Sequence, residues 1–227
     1  MQASLETKPV AVLYVEDEES DAYFMRQAFR NVAPSVDLRT VSDGQQAIDY
    51  LGGGSGYSDR KSHPLPLLVL LDIHLPLLSG FEVLSWIRQQ PEFKNLSVVI
   101  FSSSSFLQDK ERADSLAANG YMQKPGSAVQ FREVAEQLKR RWLSRSGMDG
   151  DRAGGQPMPR MRKLIQSRAT KAFLAEGGKW TADWRHAQAF LTTEAAREVV
   201  AIHEINDVDL YYLFAEEPSS YDFTISV

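Results

Sequence analysis

Three short apolar runs, at residues 10–15, 67–71 and 98–101, limit what this chain can fold into more than any other feature. A strand with one wet face alternates apolar and polar residues. A run that is apolar throughout is buried on both faces, as in a parallel sheet covered by helices. The stretches between the runs carry helical spacing instead. Ala22, Met25, Phe29 and Val32 recur every three or four residues until Pro34 stops the pattern. Ala47, Ile48 and Leu51 follow Asp43-Gly44, and Phe81, Leu84 and Ile87 fill residues 80–89. A helix over 108–118 ends at Asn119-Gly120, and a last one uses Phe131, Val134, Leu138 and Trp142. With short strands at 36–41 and 121–122, five strands alternate with helices. That pattern predicts a doubly wound α/β domain over residues 8–143.

The pattern changes after Leu143. Residues 144–160 are rich in Gly, Ser, Pro and charge, with no apolar period, and read as a linker. Residues 161–227 read as a small α+β accessory domain. It has a hairpin over 163–175, a Gly177-Gly178 turn and a helix over 194–205. Two alternating runs, 208–214 and 221–227, pair as an antiparallel hairpin with one face buried. So small a module is marginal alone and is expected to pack on something else. One helix does not make a helix-turn-helix. From residue 160 onward, 8 Lys/Arg against 10 Asp/Glu give a net charge of −2 and no basic stripe.

Other exclusions are chemical. Cysteine is absent, which removes disulfides, thiolate catalysis and sulfur-bound zinc. A net charge of −5 supplies no field to draw in nucleic acid or anionic lipid. The first residues have neither a basic patch nor a long apolar run, and no apolar stretch is long enough to span a bilayer. The expectation is a soluble cytoplasmic protein with no nucleic-acid or membrane partner.

The candidate chemistry lies at strand ends. Glu16 and Asp17 follow the first strand and Asp72 the third. In an open parallel sheet, ligands bind outside the carboxyl ends of the strands, where strand order reverses. Three converging carboxylates repel one another unless a cation joins them, and an oxygen-only set without His or Cys favours Mg²⁺. Ser102 after the fourth strand adds a hydroxyl, and Lys124 after the fifth adds a positive charge. Together they make an acyl-phosphate site: an ionised carboxylate nucleophile, a metal, and donors for phosphoryl oxygens. Singly, each residue has a plainer reading, such as an acidic helix start, a turn residue or a solvated lysine. Their joint placement at four strand ends does not.

The set Val15-Glu16-Asp17, Leu71-Asp72-Ile73-His74-Leu75-Pro76 with Gly80, Ser102-Ser103-Ser104 and Tyr121-Met122-Gln123-Lys124-Pro125 resembles the response regulator receiver domain of two-component signalling. The long loop before the third strand and the Ser-rich fourth strand end look most like stand-alone phytochrome-associated receivers. The resemblance covers 8–143 and leaves the C-terminal module without a family. It implies a flavodoxin-like sheet of order 2-1-3-4-5, with Asp72 accepting a phosphoryl group from the phosphohistidine of a sensor histidine kinase or phosphotransfer protein. It further implies that Glu16, Asp17, Asp72 and the main-chain carbonyl of His74 hold Mg²⁺, Glu16 through a water. Ser102, Ser103 and Lys124 would bind phosphoryl oxygens. Ser102 and Tyr121 form the switch pair: phosphorylation draws the hydroxyl inward and the aromatic ring can follow. Lys124-Pro125 is often cis in such domains. Ser103 stands where Ala or Gly is commoner but is still small, and the His74 side chain is expected to be exposed.

The function so implied is a phosphorylation-switched regulator. It would gain and lose its own phosphoryl group rather than turn over a substrate, and would change its association with a partner. Homodimerisation through the face of the fourth helix, fifth strand and fifth helix, or through the C-terminal module, is a further expectation. Two other readings are an aspartyl-phosphate phosphatase or phosphotransferase and a constitutive receiver-like scaffold. Such phosphatases usually carry a second acid two residues after the nucleophile, where this chain has His74.

Overall fold

The computed structural model describes residues 10–54, 56–143, 162–190, 193–213 and 223–226. They form β1 (Val10–Val15), α1 (Glu19–Val32), β2 (Val36–Val41), α2 (Gly44–Gly52), β3 (Leu68–Leu71), α3 (Gly80–Gln89), β4 (Ser97–Ser102), α4 (Leu107–Ser115), β5 (Gly120–Gln123) and α5 (Ala128–Leu138). β6 (Arg162–Ser167), β7 (Phe173–Leu174), β8 (Trp180–Thr181), α6 (Thr193–Ile202), β9 (Val208–Leu213) and β10 (Phe223–Ser226) follow. The first sheet has the order β2-β1-β3-β4-β5 expected from the sequence. Every residue of β3 and β4 is buried, and β1 is buried after its first residue, as unbroken apolar runs require. The edge strand β2 is mostly half-buried.

Local chemistry sets the helix starts. Asp43 caps α2 by accepting from the Gln46 amide at 2.7 Å, and Gly53 ends it in the left-handed region, with φ of 76°. Ser79 and Glu82 form a capping box on α3. β1 pairs in parallel with β3, placing Val15 opposite Leu71, so Glu16 and Asp72 leave neighbouring strands at the same level. This is also where strand order reverses, the crevice in which such sheets hold ligands.

The chain divides into two compact units, and the division does not follow sequence order. The first takes the chain up to Ser103 and resumes at Lys124. Its core includes Phe101 and Phe131, with the half-buried Phe24 against them; ring centroids are 5.7 Å apart for Phe24–Phe131 and 6.1 Å for Phe101–Phe131. The second joins residues 104–123, which hold α4 and β5, to the C-terminal module. That module is a mixed-length antiparallel sheet of order β10-β9-β6-β7-β8 with one helix. The hairpins expected around 163–175 and between the two last alternating runs are both present, the latter with Phe223 opposite Tyr212. The linker at 144–160 and the turn at 216–220 lie outside the described residues.

Candidate functional site

Glu16 and Asp72 are buried, at 3% and 4% exposure, and Asp17 beside them is exposed. One oxygen from each carboxylate lies within 4.8 Å of the others. Lys124 reaches this cluster from the end of β5. Its Nζ donates to Glu16 Oε1 at 2.8 Å and to Asp72 Oδ2 at 2.7 Å, and lies 3.2 Å from Asp21 Oδ2. Burial alone would pull the lysine pKa down; hydrogen bonds to Asp72 and Glu16, and their charges, outweigh it and raise it. Burial raises the pKa of Glu16, while bonds from Lys124 and Tyr14 pull the other way.

Main-chain groups fix Asp72. The Asp72 amide donates to Val15 O at 3.2 Å, and Asp72 Oδ1 accepts from the Ile73 amide at 2.6 Å and the His74 amide at 3.4 Å. Gly80 makes the turn after β3 possible. Its amide donates to Ile73 O at 2.9 Å, and a Cβ there would stand 1.9 Å from the carbonyl oxygen of Asp72. The Asp72 side chain is thus held by amides on one oxygen and an ammonium on the other. Both oxygens of Asp72 thus have fixed donors, which holds the side chain in one orientation at the end of β3.

Of the expected site residues, Glu16, Asp17, Asp72 and Lys124 converge through their side chains. Ser102 is fully buried, and its carbonyl accepts from the Lys124 amide at 2.9 Å, while Ser103 is exposed. The His74 side chain is exposed, as expected. Tyr121, 2% exposed, donates from its hydroxyl to Ser104 O at 2.9 Å. One expectation fails: no peptide bond among the described residues is cis, so Lys124–Pro125 is trans.

Three contributors were missed in the sequence. Tyr14, in the otherwise aliphatic β1, donates to Glu16 Oε2 at 2.5 Å and orients that acid from beneath. A lone aromatic hydroxyl in a buried strand, two residues before an acid, was the available signal. Asp21 sits in the first turn of α1 and adds a fourth carboxylate near Lys124; a helix-start acid carries no such signal. Ser104 meets Tyr121 through its main-chain carbonyl, a contact that leaves no mark in composition.

The donor set fits a hard divalent cation. Three clustered carboxylate oxygens without nitrogen or sulfur ligands are what such an ion takes up. An open cleft of about 670 Å³ runs from Glu16 and Asp17 along α1 to Thr40 and Gln46.

Residues 12–136 match the response regulator receiver domain family. The chain is 34% identical over 139 residues to the probable methanogenesis regulatory protein FilR2 of Methanothrix harundinacea, covering 60% of this chain and 84% of that one. The phosphorylated cyanobacterial phytochrome response regulator RcpA superposes with a TM-score of 0.56 at 30% identity, over 60% of this chain and 94% of RcpA. Rcp1 of Synechocystis sp., whose structure is known in a Mn²⁺-bound form, superposes with a TM-score of 0.55 at 28% identity, over 60% of this chain and 96% of Rcp1.

Proposed function

Because this chain belongs to the response regulator receiver family, we propose that it is a phosphorylation-switched regulator whose phosphoacceptor is Asp72. The observation that carries the reading is the bonding of Lys124 to both Glu16 and Asp72, with Asp17 alongside. Asp72 Oδ attacks phosphorus, the bond to a histidine nitrogen of the donor breaks, and that nitrogen keeps the electron pair. The product is an acyl phosphate on Asp72 and a free imidazole on a sensor kinase or phosphotransfer protein. Lys124 is placed to shift from pairing two carboxylates to pairing one carboxylate and a phosphoryl oxygen. Ser102 and Ser103 supply further donors at the neighbouring strand end.

Glu16, Asp17, Asp72 and the His74 carbonyl are the groups that would hold Mg²⁺, which neutralises charge on the phosphoryl oxygens when bound. The Mn²⁺-bound form of the relative Rcp1 supports a divalent ion here. The protein acts as a switch rather than a turnover enzyme, since the acceptor is its own side chain. No helix among the described residues is long and apolar enough to cross a membrane, in keeping with a cytoplasmic partner of a kinase.

The test is intact-mass measurement after incubation with Mg²⁺ and a small acyl-phosphate donor, with Asp72→Asn as control. One base-labile phosphoryl group per chain, absent from the variant, is expected. Failure of the wild type to label with any donor would favour a constitutive scaffold, and sustained release of phosphate from phosphomonoesters would favour a phosphatase.

A further inference from the structure

The net charge of −2 from residue 160 onward conceals a division within the C-terminal module. Residues 162–190, which form β6, β7 and β8, carry six Lys/Arg against two Asp/Glu, a net of +4. Residues 191–227 carry one Arg against eight Asp/Glu. In the folded module two of the six cations are already matched. Lys163 is only 3% exposed, where a charge is tolerated only if paired, and its Nζ is in ion contact with Asp114 of α4. Arg168 Nε donates to Asp209 Oδ1 on β9 at 2.7 Å. Arg162, Lys171 and Lys179 meet no carboxylate among the described residues.

Arg162 opens β6 and is half-buried. Strand register puts it on one face of the sheet with Leu164, Phe173, Thr181 and Leu213. Trp184 lies over that face, packed against the buried cluster of Leu164, Phe173 and Leu213. Its indole draws in two guanidinium groups: Arg162 Cζ is 5.2 Å from the ring centroid and Arg185 Cζ 4.6 Å. Asp183 Oδ1 lies 3.5 Å from Arg185 Nη1, so one acid is set against two cations here. Stacking on an indole uses the flat face of a guanidinium and leaves its N–H edge to bind carboxylate oxygens in pairs. Lys179 joins the same face. The Ala175 amide donates to Lys179 O at 2.7 Å, which extends the β7–β8 ladder by one residue, and alternation turns Lys179 to the side of Thr181. β8 ends the sheet, so no described strand pairs with its outer edge.

We propose that this face is the docking surface for an extended, acidic segment of a partner protein, held by Arg162 and Arg185 on Trp184 and by Lys179 beside the β8 edge. Charge complementarity selects the sign, because the face belongs to a stretch of net +4 in a chain of net −5. Two features select a peptide over single-stranded nucleic acid. A base needs an open aromatic face to stack on, and Trp184 has guanidinium groups over its ring and the apolar cluster beneath it. The outer edge of β8 offers main-chain groups that another peptide backbone completes by adding as a strand. The surface uses none of the residues around Asp72 and stands whether or not that residue is the phosphoacceptor.

The experiment titrates the isotope-labelled full chain with a peptide alternating Glu and Thr, followed by NMR at the Trp184 indole and the Thr181 amide. Both resonances are expected to move, and added salt should weaken the binding. Arg162→Gln should lower the affinity about tenfold. If that change disturbs the packing of Trp184, Lys179→Gln, at an exposed position, should still lower it about threefold. Lys61→Gln removes the same charge from an exposed position in the first unit and should leave the affinity as it was. Stationary Trp184 and Thr181 resonances overturn the proposal. So do variants at 162 and 179 that bind like the wild type, or a Lys61→Gln that loses as much as they do. Equal or tighter binding of the same peptide with Lys for Glu overturns the choice of sign. Equal or tighter binding of oligothymidylate makes this a nucleic-acid surface and overturns the proposal as well.

Discussion

Lys124 Nζ and Asp72 Oδ2 are 2.7 Å apart, in a pair whose side chains are 7% and 6% exposed. With Glu16 on the same ammonium, one cation offsets two buried anions. Burial of two acids side by side is tolerated because of this contact.

Replacing Lys124 with Met removes the cation and leaves Glu16 and Asp72 facing each other. A loss of about 3 kcal/mol in unfolding free energy is expected in metal-free buffer. Mg²⁺ should restore more stability to Lys124→Met than it adds to the wild type, because the ion then meets an uncompensated acid cluster. A ligand at a hundred times its Kd adds about 2.7 kcal/mol. Denaturant unfolding with and without Mg²⁺ measures both. Equal Mg²⁺ increments in the two proteins would contradict the prediction, and labelling of the variant by acetyl phosphate should fall sharply.

Gly80→Ala tests the turn that fixes Asp72. The added methyl would lie 1.9 Å from the Asp72 carbonyl oxygen, so the backbone must move. A destabilisation of about 1–3 kcal/mol is expected, together with slower phosphorylation because Asp72 moves with it. Unfolding curves and labelling rates report the two effects, and normal values for both would mean the turn can relax.

Those residues also show what the sequence made legible. β1, β3 and β4 are apolar throughout because both faces are covered, so the strands followed from pattern, their order from the resemblance to the receiver domain, and Glu16, Asp72 and Lys124 from strand ends. What pattern does not encode is direction. Tyr14 reads as one more core residue until its hydroxyl is seen to meet Glu16, and Asp21 as an ordinary helix-start acid until Lys124 is near it. Lys163 is the clearest case. Alternation along β6 assigns it a face, but a lysine is expected on the wet one. Only the acid from α4, distant in sequence, explains why it is buried.

Arg60 closes the far end of α2. Its Nη1 and Nη2 donate to the carbonyls of Tyr50 and Leu51, each at 2.7 Å, satisfying last-turn acceptors that have no partner within the helix. Arg60→Ala should cost about 2 kcal/mol and loosen the 57–64 segment. Hydrogen exchange in that segment, with an unfolding curve, checks it; an effect on stability with no local exchange change would mean the loss lies elsewhere.

Tyr212 gives the module a pH dependence. Its pKa is pushed up to about 12, first by burial and then by the charges of Asp114 and Glu111, against a lowering bond to Thr193. A group whose pKa is higher folded than unfolded stabilises the fold in its protonated form. Its contribution is whole below the unfolded value near 10 and falls as pH rises to about 12. The loss over that window is on the order of 2 kcal/mol. Tyr212→Phe keeps the ring, has no proton to lose, and gives up one hydrogen bond at all pH values. The stability difference between wild type and variant should therefore be steady up to pH 10 and shrink or reverse between 10 and 12. Denaturant midpoints for both proteins across pH 8–12 measure it, and a difference that stays flat over that range would show that Tyr212 ionises as freely folded as unfolded.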